Sequence, residues 1–313
     1  MLFERHPVLV RGAGELASAV ALHLHRAGFP LAMTELPQPL AVRRLVAFGE
    51  AVRHGTWTVE GVTARLCGPA GGTAGAAVDP SALAAAVRAA WREGAIALRV
   101  DAGLGLLDAL PCFAVVDARM LKRADGVQRG RGPFTLALGP GIRAGEHVDA
   151  VVETQRGHDL GRIVTDGEAA PNTGVPGVLG GESAGRVCRA PAAGVFRARA
   201  CIGDLVDEGA LLAVVEDGGR AAGEVRAAIG GRLRGLLADG TIVPAGIKAA
   251  DVDPRGAAVD PARVSDKGRA VAAGVLTALL EALGRNVSPG GGGAAGVPPG
   301  AAAPPAGGGG GPA

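Results

Sequence analysis

Apolar positions near the start of the chain change period within a few residues. Val8-Leu9-Val10 is a short β-branched run that stops at Arg11, and beyond Gly12-Ala13-Gly14 the apolar residues return at Leu16, Val20, Leu24 and Ala27, the spacing of one helical face. This predicts a strand, a tight turn and a helix. Gly28 closes that helix, and Phe29–Thr34 reads as a second strand ending at Glu35. Leu40–Phe48 suits a short helix, and Trp57–Leu66 a pair of short strands turning at Glu60-Gly61. A loop rich in glycine and alanine from Gly68 to Val78 then leads to Asp79-Pro80, which caps an alanine-rich helix through Glu93. Two more strand-like runs follow, Ala95–Val100 and Cys112–Val116, each ending at an aspartate, Asp101 and Asp117. Strands alternating with helices imply a parallel sheet, which gathers ligands at the carboxyl ends of its strands.

The pattern thins from Phe134 to Gly181, where glycine and polar residues dominate and little core can be supplied. A repeat follows. Gly194-Val-Phe-Arg197 matches Gly231-Arg-Leu-Arg234, and Gly203-Asp-Leu-Val206 matches Gly240-Thr-Ile-Val243, both at an offset of 37 residues. Each copy reads as strand, turn, strand, so two copies should interleave as a small β-sandwich. Such a unit resembles the barrel-sandwich hybrid of biotinyl and lipoyl carriers, yet the turn joining the copies, Val215–Arg220, holds no lysine to modify. The segment Ser265–Leu283 reads as a capped amphipathic helix with Val271, Val275, Leu279 and Leu283 on one face. From Asn286 onward Gly, Pro and Ala dominate, a composition expected to stay disordered.

Composition narrows the function classes. The chain has 313 residues, room for more than one domain, and its 48% hydrophobic content includes no Tyr. A formal charge of +2 gives no reason to expect nucleic acid or an anionic membrane surface as a partner. With no run of 18 uncharged apolar residues, the expected setting is the cytoplasm. Cys67, Cys112, Cys188 and Cys201 show neither CxxC nor zinc spacing and are read as reduced thiols.

Candidate chemistry sits in three places. Gly12-x-Gly14-x-x-Ala17 has the small-residue spacing of a dinucleotide-binding turn, in which amides from Gly12, Ala13, Gly14 and Glu15 would receive a pyrophosphate and Glu35 would hold a ribose. The alternative is a nucleotide-free turn with a solvated acid. Arg43 and Arg44 are read as a solvated helix face. In the glycine-rich stretch Glu153, Arg156, His158 and Asn172 stand out, with His158 the candidate proton-transfer group. Third, Asp251-Val-Asp253-Pro-Arg255 places two carboxylates on one side of an extended backbone, suited to a metal ion, while Arg255 suits a phosphate; a local turn with an ion pair is the alternative. The second and third places are expected to converge on a cleft facing the glycine turn.

Together these blocks resemble a known family, the YqeB-type accessory proteins of selenium-dependent molybdenum hydroxylase systems. The resemblance runs over about residues 7 to 283 and includes Val10-Arg-Gly-Ala-Gly14, Thr34-Glu35, Arg43-Arg44, Val116-Asp-Ala-Arg119 with Lys122, Leu138-Gly-Pro-Gly141, Arg156-Gly-His158, Asn172–Gly177, Asp251–Arg255 and Ser265-Asp-Lys267. It departs from the family pattern at Glu15, where an aspartate is usual, and before Ser265, where a usual cysteine is absent from 259–264. The resemblance implies support or maturation of a molybdenum hydroxylase of the xanthine dehydrogenase kind, with that enzyme or its maturation machinery as partner. The cofactor expected is an NAD-like dinucleotide or a molybdopterin nucleotide. Two other readings stay open, an NAD-dependent oxidoreductase and a non-catalytic scaffold. The fold expected is α/β: a Rossmann-like parallel-sheet domain over 1–133, a glycine-rich link over 134–185, a barrel-sandwich-like domain with a closing helix over 186–285, and a tail over 286–313.

Overall fold

The computed structural model describes residues 2–68, 79–126, 129–174 and 177–287. Most of the loop expected up to Val78, and the tail beyond Val287, lie outside the described residues. In chain order the regular elements of the first lobe are β1 (Val8–Arg11), α1 (Glu15–Arg26), β2 (Leu31–Glu35), α2 (Ala51–His54), β3 (Thr56–Val59), β4 (Val62–Leu66), α3 (Pro80–Arg92), β5 (Ile96–Val100), α4 (Leu106–Ala109), β6 (Ala114–Asp117), β7 (Phe134–Leu138), β8 (Arg143–Ala144), β9 (Ala150–Val152), β10 (Ile163–Val164) and β11 (Gly167–Glu168). The remainder are β12 (Val187–Arg189), β13 (Gly194–Ala198), β14 (Leu205–Val206), β15 (Leu211–Asp217), β16 (Arg220–Arg226), β17 (Gly231–Leu236), β18 (Ile242–Val243), β19 (Lys248–Asp253) and α5 (Asp266–Val287).

The architecture is mixed α/β. A large sheet has the order β10-β9-β7-β6-β1-β2-β5-β4-β3, and further antiparallel sheets and a C-terminal helix complete the molecule. From β9 to β4 neighbouring strands run parallel, while β10 and β3 close the two edges antiparallel. Alternation along β1 sets the two faces: Val8 and Val10 join the core beneath α1 and α5, and Leu9 joins a second core with Leu83 and Val87 of α3. The segment expected as a link over 134–185 supplies β7, β9 and β10 to this sheet. Its apolar runs are short, but every residue of β7 and β9 is buried.

The 37-residue repeat is visible strand for strand, since β13, β14 and β15 correspond to β17, β18 and β19. The copies exchange their middle strands. One four-stranded antiparallel sheet is β12-β19-β17-β14 and the other β16-β15-β13-β18, so each holds one strand borrowed from the opposite copy. Phe196, Leu212 and Val215 from one sheet meet Leu233, Leu236 and Val252 from the other in a single core. Gly194 and Gly231 occupy equivalent crowded positions at positive φ, where a Cβ would lie 2.3 Å from the carbonyl oxygen of Glu216 or Asp253.

Helix α5 leaves this second lobe and lies against α1, with Val271, Val275 and Leu279 buried in the same core as Val20 and Leu24. Where a helix was expected over Leu40–Phe48, the structure has 3₁₀ turns at Arg44–Val46 and Phe48–Glu50. The reason is a competing partner: the Leu236 amide donates to the Val42 carbonyl across the lobes, and the Val42 side chain sits in the core shared by the two antiparallel sheets. Arg43 and Arg44 are correspondingly not a solvated face. Buried Arg43 donates to Glu15 Oε1 (3.0 Å) and the Arg263 carbonyl (3.0 Å), and Arg44 to the Leu236 carbonyl (2.8 Å) and Glu50 (3.1 Å).

Candidate functional site

The carboxyl ends of β1, β6, β7 and β9 open on one cleft of about 750 Å³ whose far wall belongs to the second lobe. Its near wall carries Glu15 and Leu16 at the start of α1, Met120 and Lys122 beyond β6, Pro140 beyond β7 and Glu153–Arg156 beyond β9. The far wall carries Arg186, Arg234, Lys248 and Asp251, and the start of α5 adds Ser265 and Lys267. Asn172 lies on the loop that crosses between them. Among the described residues, the lining holds six cations against the three carboxylates Glu15, Glu153 and Asp251, a bias toward an anionic occupant.

Most of these groups are tied down. Glu153 is buried and accepts from the amides of Thr154 (2.7 Å), Gln155 (2.6 Å) and Ala170 (2.6 Å), which joins the loop after β9 to the crossing loop. Arg156 grips Asp266 at both guanidinium nitrogens (2.6 and 2.8 Å), and this hydrogen bonding holds the Asp266 carboxyl far below its usual range. Asp251, 1% exposed, is met by Arg234 (2.6 Å), Arg186 (3.4 Å) and Lys248 (3.6 Å). Burial alone would push the Asp251 carboxyl up, but the surrounding cations outweigh it and hold it low. Burial also lowers the Lys248 ammonium, partly offset by Asp251.

Several candidate residues sit elsewhere or serve differently. Glu35 turns inward onto the glycine turn itself: its Oε2 accepts from the Ala13 amide (2.8 Å) and its Oε1 from the Leu36 amide (2.7 Å). Burial raises the Glu35 carboxyl, partly offset by those amides. Gly49 closes over it, donating its amide to the Ala13 carbonyl (2.9 Å), so the place where a ribose would lie against Glu35 is taken by the segment 36–50. Gly12, at φ 90°, is backed by Arg119, and Ala13 is fully buried. Gly14 faces open space, and Glu15 reaches the cleft while pairing with Arg43. Thus Glu15, Arg156 and Asn172 border the opening, Gly12 and Gly14 are absent from its lining, and Ala13 and Glu35 belong to the turn's own scaffold.

Asp251 and Asp253 share one side of β19, as their spacing implied, but not as metal ligands. Arg234 bridges them, reaching Asp251 at 2.6 Å and Asp253 at 3.1 Å, and Arg255 takes Asp253 at 2.9 Å. Carboxylates saturated by guanidinium groups do not fit a cation, and among the described residues no group of three His, Cys, Asp or Glu side chains is placed to hold one. Arg255 is committed to Asp253 and is absent from the lining, as is the exposed His158. Arg186, Arg234 and Lys248 were not singled out from the sequence. An arginine at the inward-facing position 234, between Leu233 and Gly235, was the available signal.

The fold and the cleft together define a two-lobed α/β protein with a cationic pocket between the lobes. No protein-family model matches the chain. It is 43% identical over 292 residues to the uncharacterized protein YqeB of Escherichia coli (strain K12), a match that covers 92% of this chain and 50% of that protein. The likeness supports a YqeB-type protein, and the chain spans about half the length of this relative. Among solved structures, the apo ectoine utilization protein EutE (DoeB) of Ruegeria pomeroyi aligns at 14% identity over 79% of this chain and 86% of that one, with a TM-score of 0.25. An aspartoacylase family protein of Mesorhizobium loti aligns at 13% identity over 79% and 84%, also at 0.25. Overlaps of that score carry no argument.

Proposed function

We propose that the chain is an accessory protein in the maturation of a molybdenum hydroxylase of the xanthine dehydrogenase kind, selenium-dependent by its resemblance, and that it holds a nucleotide-bearing cofactor between its lobes. The partner would be the hydroxylase or its maturation machinery, met in the cytoplasm. With this goes the finer architecture, a Rossmann-like first lobe and a barrel-sandwich-like second lobe. The observation that carries the reading is the cleft: six cations from both lobes meet the start of α1 at the carboxyl ends of the parallel strands, where open α/β sheets take ligands. The residues present fit an anionic group there, through Lys122, Lys267 and Arg186. They favour an occupant entering on the β6–β9 side of β1 over an NAD with its ribose on Glu35, since Glu35 already serves Ala13 and Leu36. An oxidoreductase reading also lacks a proton-transfer histidine on the cleft.

The test is native mass spectrometry of the protein from its own host, with calorimetric titration of NAD, NADP, FAD, ATP and CTP. A co-purifying nucleotide-bearing molecule, or binding of one of these, is expected, and binding by none would sink the cofactor reading. Normal hydroxylase activity in a host lacking the gene would remove the accessory role.

A further inference from the structure

We propose that Lys122, Lys267 and Arg186 form a diphosphate subsite within the cleft, at the mouths of α1 and α5. The proposal rests on the reading above and gives the ligand's chemical class: a diphosphate or its ester.

Two lysines of the lining, Lys122 and Lys267, have no counterion at ion-pair distance among the described residues, and Arg186 is matched only in part. Arg234 and Lys248 have theirs in Asp251 and Asp253. Arg186 does not share in this fully. Only 8% exposed, it gives Nη1 to the Gly177 carbonyl (2.7 Å) and reaches Asp251 only at 3.4 Å with Nη2, while its buried Nε has no hydrogen-bond partner among the described residues. A buried N–H left unmatched costs stability unless something else completes it.

Lys267 is the second residue of α5, half-buried, and its ammonium has neither a hydrogen bond nor an ion pair among the described residues. The carboxylates that face it are engaged elsewhere, Glu15 with Arg43 and Glu153 with three amides. Burial lowers the Lys267 ammonium, and Arg156 and Lys122 lower it further. Lys122, also without a partner, sits at φ 63°, and its carbonyl is so close to Gly141 that a Cβ there would lie 2.1 Å away. The loop is thus held in a left-handed conformation with this lysine on the cleft.

Two helices of 12 and 22 residues begin at the same opening, and the cap of α1 is Gly14, which offers no side chain to its free amides. Unmatched like charges gathered at two helix N-termini repel one another and gain nothing from each other. A multiply charged anion repays all of them, and a carboxylate with one negative charge would leave most of the excess standing.

The full chain is titrated calorimetrically with inorganic pyrophosphate, inorganic phosphate and succinate. Pyrophosphate should bind more tightly than either of the others and raise the melting temperature. Lys267→Met and Lys122→Met should each weaken it roughly tenfold or more, the worth of one charge-assisted hydrogen bond. Arg88→Met, which removes one exposed positive charge from α3 away from the cleft, should leave it unchanged. Pyrophosphate affinity unchanged from the unaltered protein in both lysine variants, or succinate binding as tightly as pyrophosphate, would overturn the subsite. Nucleotide binding without pyrophosphate binding would overturn it while leaving the cofactor reading intact, and binding of nothing tested would remove both.

Discussion

The two sides of the β1–α1 turn treat polar groups in opposite ways. Toward β2, the Ala13 and Leu36 amides donate to the Glu35 carboxylate and the Gly49 amide to the Ala13 carbonyl, and the segment 36–50 covers them. Toward β6 and β9, the Lys122 and Lys267 ammonium groups line the open cleft with no ion-pair partner among the described residues, and Arg186 is matched only in part. A matched buried network is what stability alone would produce, whereas unpaired cations gathered on a cleft oppose one another and suit an anionic ligand. The contrast also separates two kinds of residue within the cleft wall. Asp251 with Arg234 and Lys248 is a finished structural cluster, and the lysines near α5 are not.

The largest effect is expected where the finished cluster is broken. Asp251→Asn would leave Arg186, Arg234 and Lys248 around a neutral amide and should cost about 3–5 kcal/mol, read from urea unfolding. Adding Mg²⁺, Mn²⁺ or Zn²⁺ to the unaltered protein should not raise its melting temperature, and a clear rise that vanishes in Asp251→Asn would restore a metal role for this pair.

Next comes the sealed side of the turn. Glu35→Ala strips the Ala13 and Leu36 amides of their acceptor and should cost about 1–3 kcal/mol, while Glu35→Gln, which keeps a carbonyl oxygen, should cost less. If Glu35 served a ribose instead, both variants would leave stability alone and abolish dinucleotide binding. Calorimetric titration beside the unfolding curve distinguishes the two cases.

The smallest effect has the opposite sign. Lys267 titrates below its ordinary 10.5 in the folded chain, so the unfolded chain holds that proton more tightly and the charged lysine opposes folding. The cost is fully present at neutral pH and fades as pH rises through the folded value toward 10.5. Lys267→Met should therefore raise the ligand-free melting temperature at pH 7 by about 1–2 °C, and the gap should close as pH approaches 10.5. A fall in melting temperature at pH 7 would mean that Lys267 is a structural residue with a partner.

What the sequence determined by itself was local or periodic. Val8–Glu35 spells strand, turn, helix and strand because the β and helical periods change where the glycines stand, and each period depends only on near neighbours. The 37-residue repeat was legible down to its strands, since Gly194 and Gly231 meet the same crowding in both copies. The helix of Val271, Val275 and Leu279 was equally plain. Tertiary structure alone decided the partners. Arg43 reads as a surface arginine until Glu15 and the Arg263 carbonyl enclose it, and Phe134–Leu138 reads as part of a link until β6 and β9 flank it. Asp251 and Asp253 keep the shared side their spacing promised, yet whether they meet a metal or an arginine depended on Arg234, which β17 brings across from 17 residues away. A side chain's direction follows from its own backbone, but its charge environment is set by whatever the rest of the chain delivers to that face. The division between the sealed and the open side of the turn therefore existed only once both lobes had closed around it.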